Sequence, residues 1–148
     1  MRPGYLEIRE LEDQQYNGSN HDVGFRMFCS YGNALRLTGD TSHIPVLLQS
    51  AQTLIARYSD RVGCIRSCDF NRENWQCPVI IDNMMNLELL FWTTRKTGDS
   101  IYHKIAVNHA QTTLDNTIAT YQNSIDNHKA TALNTASDKI SAANTALD

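Results

Sequence analysis

An internal repeat limits the possible folds of this chain more than any other feature. Asp22 opens the run Asp-Val-Gly-Phe-Arg-Met-Phe, followed by Leu37-Thr38-Gly39-Asp40 and then by Ala51-Gln52-Thr53. Asp82 opens Asp-Asn-Met-Met-Asn-Leu-Glu, followed by Lys96-Thr97-Gly98-Asp99 and then by Ala110-Gln111-Thr112. The three landmarks recur at offsets of 60, 59 and 59 residues. Tandem units of this kind stack on one another, because one unit alone cannot bury its apolar face.

Each unit reads as a helical hairpin, and the predicted class is all-α. The first helix of unit one carries Val23, Phe25, Phe28, Cys29, Leu35 and Leu37, and that of unit two carries Met84, Met85, Leu87, Leu89, Leu90, Phe91 and Trp92. Apolar residues on more than one face predict burial on most sides. Gly39 and Gly98 stand where a helix ends in a left-handed residue, and Asp40 and Asp99 follow as caps for the next helix. The second helices, Ile44 to Tyr58 and Ile101 to Leu114, are amphipathic. In unit two the pattern predicts Ile101, Ile105, Ala106 and Val107 inward, with His103, Lys104 and Asn108 outward. Where such a stack closes, the first helices form an inner ring and the second helices an outer one. Asp22 and Asp82 then lie at the N-terminal ends of successive inner helices and point to the same end of the stack.

The remaining segments are less regular. Arg61 to Ile81 contains Gly63, Asp69, Asn71 and Pro78 and reads mostly as loop. Connections of that length are often functional. From about Asp115 the composition shifts to Ala, Thr, Asn and Asp, with a thin seam of Leu133, Ala136, Ile140, Ala143 and Leu147. That tail reads as an exposed helix, a weak coiled coil or partly disordered sequence. The expected organisation is a lead-in over 1–19, two hairpins over 20–114 and a tail over 115–148.

Bulk properties exclude several classes. The 148 residues are 41% hydrophobic and 20% charged, which suits a soluble chain with a core. The net charge of −3 and the absence of a basic stripe argue against nucleic acid and against an anionic membrane surface. No apolar run is long enough to span a bilayer, and Met1-Arg2-Pro3-Gly4-Tyr5 lacks a signal-peptide core, so the expected location is cytoplasmic. Cys64 and Cys68 do not have CxxC spacing, and no His pair at helical spacing completes a metal set. Cys29, Cys64, Cys68 and Cys77 are expected as buried free thiols, and no metal or cofactor is expected.

The motifs carry a resemblance to a known family. His21-Asp22-Val23-Gly24-Phe25, Arg36 to Asp40, Gly63-Cys-Ile-Arg-Ser67, Trp75 to Asn86, Phe91-Trp92, Thr97 to Asp99 and Ile105 to Thr113 resemble, in order and spacing, the unsaturated glucuronyl hydrolases of glycoside hydrolase family 88. The match runs from about Asn20 to Leu114, and family 105 is related. The resemblance implies a partial (α/α)6 barrel, the six-hairpin toroid. It implies a substrate with an unsaturated uronic acid at the non-reducing end, the product of polysaccharide lyases. It also implies hydration of the C4=C5 vinyl ether, with Asp82 as general acid and then base and Asp22 as the second essential carboxylate. An apolar surround from Ile81, Met84 and Met85 would favour a protonated Asp82. His21, Asn83 and Trp75 are the implied sugar contacts.

Plainer readings stand beside these. An Asp at a helix start is usually a cap, and stacked hairpins need equivalent caps. Trp92, Met84 and Met85 read as packing residues, and His109 as a hydrogen-bonded structural histidine. Where the family has a tryptophan after Gly-x-Ile-Arg-Ser, this chain has Cys68, which offers no stacking face. Six hairpins at this period need about 360 residues. The alternative function is therefore a catalytically incomplete helical module that self-associates through its exposed inner faces or its tail.

Overall fold

The computed structural model describes residues 8–70, 73–74 and 76–145. The chain divides into two compact units, Met1–Thr113 and Leu114–Asp148. The fold is all-α, as the tandem hairpins predict.

In the first unit a 3-10 turn at Glu12–Tyr16 precedes the first inner helix. That helix is built from α1 (Val23–Met27), a π turn (Phe28–Gly32) and α2 (Asn33–Thr38), end to end. A π turn leaves main-chain carbonyls without their usual partners. Here the Ser30 hydroxyl donates to the Arg26 carbonyl at 2.8 Å, and the Asn33 amide donates to the Cys29 carbonyl at 2.8 Å. Gly39 ends the helix at φ 70°, a conformation that costs a residue with a Cβ about 1 kcal/mol or more. Asp40 then accepts from the Ser42 N–H at 2.9 Å and caps the entry to α3 (Ile44–Ile55). α3 buries Val46, Leu47, Ser50, Ala51 and Leu54, one face of a 3.6-residue period.

The second hairpin repeats this grammar. A 3-10 turn at Ile81–Asn86 leads into α4 (Leu87–Thr97). Gly98, at φ 77°, ends α4, and Asp99 accepts from the Ile101 N–H at 2.9 Å as α5 (Ser100–Thr145) begins. A single core joins the two hairpins. Met27, Leu47, Leu54, Ile65, Leu89 and Leu90 are all fully buried within it.

Four expectations change. The helix expected to reach Tyr58 ends at Ile55, and β1 (Tyr58–Ser59) pairs antiparallel with β2 (Cys64–Ile65), which lies in the connection expected to be loop, with Tyr58 facing Ile65. Strands of two residues are too short to produce an alternating pattern. The inner helices are buried on one side only, since Leu37, Met85 and Phe91 are exposed. The described neighbours of these helices cover a single face. On α5 the buried stripe is Tyr102, Ile105, Ala106 and His109, while Ile101 and Val107 are exposed. Positions i, i+3, i+4 and i+7 share a face, and Ile101 and Val107 fall on either side of it. Finally, α5 does not stop at Leu114. The sequence after Gly98 has neither Gly nor Pro, so no residue in it breaks a helix.

The second unit is helical from Leu114 to Thr145, and its residues 114–144 are exposed. The hydroxyls of Thr120, Thr131 and Thr135 donate to carbonyls four residues back, at 2.8 to 2.9 Å. No helix among the described residues is long and apolar enough to cross a membrane. All four cysteines are free, yet only Cys64 is buried and Cys29 is exposed, a correction to the expectation of buried thiols.

Two packing details carry predictions. At Gly24 the first inner helix packs against the 3-10 turn of the second unit, and an added Cβ would lie 2.7 Å from the Asn86 Cβ. A Gly24→Ala variant should lose about 1–3 kcal/mol of stability in a denaturant titration, the usual cost of overpacking. His109 is fully buried, and its Nδ1 accepts from the Ile65 N–H at 3.1 Å. Desolvation, helped by His21, pushes its pKa down to about 4. The unfolded chain binds this proton near pH 6.5, so the stability is fully present above that pH. It is lost as pH falls towards 4, by on the order of 3 kcal/mol. Urea unfolding across this window should show the loss, and His109→Gln should flatten it.

Candidate active site

The polar residues at the N-terminal ends of the two inner helices meet around one imidazole. His21 sits just before α1, only 4% exposed, with its backbone N–H donating to the Ser67 carbonyl at 2.9 Å. Its Nε2 lies 3.3 Å from Asp22 Oδ1 and 3.8 Å from Asp82 Oδ1. The two carboxylates, 60 residues apart in sequence, therefore share one nitrogen as neighbour.

Neither carboxylate caps a helix. Asp22 stands at the cap position of α1 but receives no main-chain N–H through its side chain. Its own backbone N–H is held by Asn20 Oδ1 at 2.9 Å, and its Oδ2 lies 3.7 Å from Arg26 Nη2. Asp82 lies inside the 3-10 turn, which has no side-chain cap. Asp40 and Asp99 do cap, so the repeat contains two kinds of aspartate. One kind satisfies helix N–H groups. The other leaves its oxygens at the surface, with the side chains of Asp22 and Asp82 32% and 50% exposed.

Ser67 ties the site to the ribbon. Its carbonyl holds His21, its N–H donates to the Pro78 carbonyl at 2.8 Å, and its hydroxyl accepts from the Ile80 N–H at 3.0 Å. Asn83 is fully buried and donates to the Ile65 carbonyl at 2.7 Å and to the Ser67 hydroxyl at 3.3 Å. A side chain without exposed surface gives a sugar nothing to touch, so the sugar contact expected of Asn83 becomes a framework role. Below the site, Arg57 and Arg66 grip Asp69 at 3.1 and 2.6 Å. The Arg57 hydrogen bond first, then that of Arg66, holds the Asp69 carboxyl below its ordinary value against the opposing effect of burial.

The apolar surround expected around Asp82 is open in the described residues, with Ile81 and Met85 exposed and Met84 half-buried. Trp75 lies outside the described residues. Trp92 packs against Phe28, ring centres 6.0 Å apart. No group of three or more metal-ligating side chains occurs among the described residues. Sequence reasoning assigned no role to Asn86, whose Nδ2 lies 3.0 Å from His21 Nδ1. Its signal was its place one turn beyond Asp82 in the second copy of the repeat.

No family model matches the chain. It is 55% identical over 105 residues to an unsaturated glucuronyl hydrolase of Formosa agariphila, covering 70% of this chain and 26% of that protein. It is 30% identical over 99 residues to an unsaturated chondroitin disaccharide hydrolase of Streptococcus agalactiae, covering 67% of this chain and 25% of that one. A crystal structure of a heparin-specific unsaturated glucuronyl hydrolase superposes with a TM-score of 0.70 at 45% identity, covering 74% of this chain and 29% of that chain. Sequence relatives and structural neighbours coincide: the chain is a partial relative of the unsaturated glucuronyl hydrolases, spanning about a quarter of their length.

Proposed function

We propose that this chain carries the reacting carboxylates of a glycoside hydrolase acting on unsaturated uronic acid at the non-reducing end of lyase-generated oligosaccharides. The observation that carries this reading is the uncapped pair, Asp22 and Asp82, facing one buried histidine nitrogen. Asp82, the more exposed of the two, is the proton donor. Its proton goes to C4 of the vinyl ether as the C4=C5 π bond breaks, and positive charge develops at C5. Water adds at C5 and returns its proton to the Asp82 carboxylate. The hemiketal so formed opens to a ketone at C5, which leaves a hemiacetal at C1, and the hemiacetal breaks down to an aldehyde and releases the rest of the oligosaccharide as an alcohol. Asp22, beside the same nitrogen, is the second carboxylate of the site. His21, almost fully buried, keeps its Nε2 beside both carboxylates.

Unsaturated chondroitin and heparin disaccharides are the probes, since relatives are named for chondroitin and heparin. The ultraviolet absorbance of the double bond disappears on hydration. The chain should remove it, and Asp82→Asn should slow the loss by about 100-fold or more, the range for a positioned acid–base group. Equal rates for parent and variant would remove Asp82 from the chemistry. No loss with a parent shown to be helical by circular dichroism would leave the ancestry without the activity.

A further inference from the structure

Asn86 is fully buried, and its amide can point only one way. Its Oδ1 accepts from the Phe25 N–H at 2.8 Å. Its Nδ2, with two hydrogens to share, faces two oxygens, the Asn83 carbonyl at 3.1 Å and Asn83 Oδ1 at 2.9 Å, and the ring nitrogen His21 Nδ1 at 3.0 Å. Reversing the amide would set its NH2 against the Phe25 N–H and its oxygen against two Asn83 oxygens, losing every one of these bonds. An amide NH2 directed at Nδ1 needs a lone pair there, so the ring proton resides on Nε2. With His21 almost fully buried, water offers Nδ1 no competing partner.

We propose that Asn86 is a positioning residue that holds His21 in its Nε2–H tautomer, so that an N–H rather than a lone pair stands 3.3 Å from Asp22 Oδ1 and 3.8 Å from Asp82 Oδ1. In the other tautomer, a lone pair on Nε2 would face two carboxylate oxygens. Gly24 belongs to the same device, since only a residue without a Cβ lets Asn86 reach the Phe25 N–H. The link joins the two repeat units directly: α1 from the first and the 3-10 turn of the second settle where one proton sits. Its consequence for turnover rests on the reading of Asp82 and Asp22 given above. There the Nε2–H stands 3.8 Å from Asp82 Oδ1 once that residue has given up its proton.

The test is spectroscopic and needs no turnover. Long-range ¹H–¹⁵N spectra of the ¹⁵N-labelled chain at neutral pH report which ring nitrogen of each histidine is protonated. The His21 signals are identified by their loss in His21→Gln. The expected pattern is a downfield, unprotonated Nδ1 and an upfield, protonated Nε2. Asn86→Asp replaces the amide donor by an acceptor, and a proton should then appear on Nδ1. If that variant does not fold, Asn86→Leu, of similar shape, should give a mixture of tautomers. An Nδ1–H form in the parent chain overturns the proposal without any variant. So does an unchanged Nε2–H form in a folded Asn86→Asp or Asn86→Leu. An inactive chain with the Nε2–H tautomer would remove the hydrolase reading and leave this one standing, and an active chain with the Nδ1–H tautomer would do the reverse.

Discussion

The site depends on a bond that crosses the repeat, from the Phe25 N–H to the side-chain oxygen of Asn86. Phe25 lies in the first turn of the first inner helix, where main-chain N–H groups lack partners within the helix. In most proteins such a group is met by a cap a few residues upstream. Here it is met by a side chain from the other repeat unit, 61 residues away. The donor is satisfied, the amide orientation is set, and the ends of the two inner helices are joined by one side chain. The cost is space, and Gly24 provides it.

From that joint the polar chain runs outward. Asn86 meets His21, and His21 meets the two aspartates that the repeat places at equivalent positions. Ser67 and Asn83 support it from beneath with main-chain and side-chain bonds, both fully buried. A buried polar network is stable only when its members are satisfied, and this one is satisfied across three segments distant in sequence. Burial holds the histidine still while the carboxylates remain at the surface. The proposed reading of the site rests on that contrast between a fixed imidazole and accessible carboxylates.

Much of the frame was legible in the sequence. The helix ends were plain because Gly39 and Gly98, each followed by an aspartate, are read by local rules: a left-handed residue and then a cap. The all-α class followed from the period. The stripe on α5 departs from the sequence pattern at Ile101 and Val107, because apolar character alone does not say which flank of a helix meets a neighbour. The two-residue strands and the π turn left no periodic trace. The continuation of α5 past Leu114 was hidden by a change in composition, although a run free of Gly and Pro has nothing to end a helix.

The sequence by itself determined the repeat, the helix boundaries at the glycines and the equivalence of Asp22 and Asp82. All of these rest on residues close together or on a fixed period. Only the tertiary structure decided which aspartates cap and which do not, that Asn83 is interior, and that Asn86 faces His21. Those outcomes depend on which donors and acceptors meet across some 60 residues of chain, and a hydrogen bond between distant segments leaves no mark in local pattern.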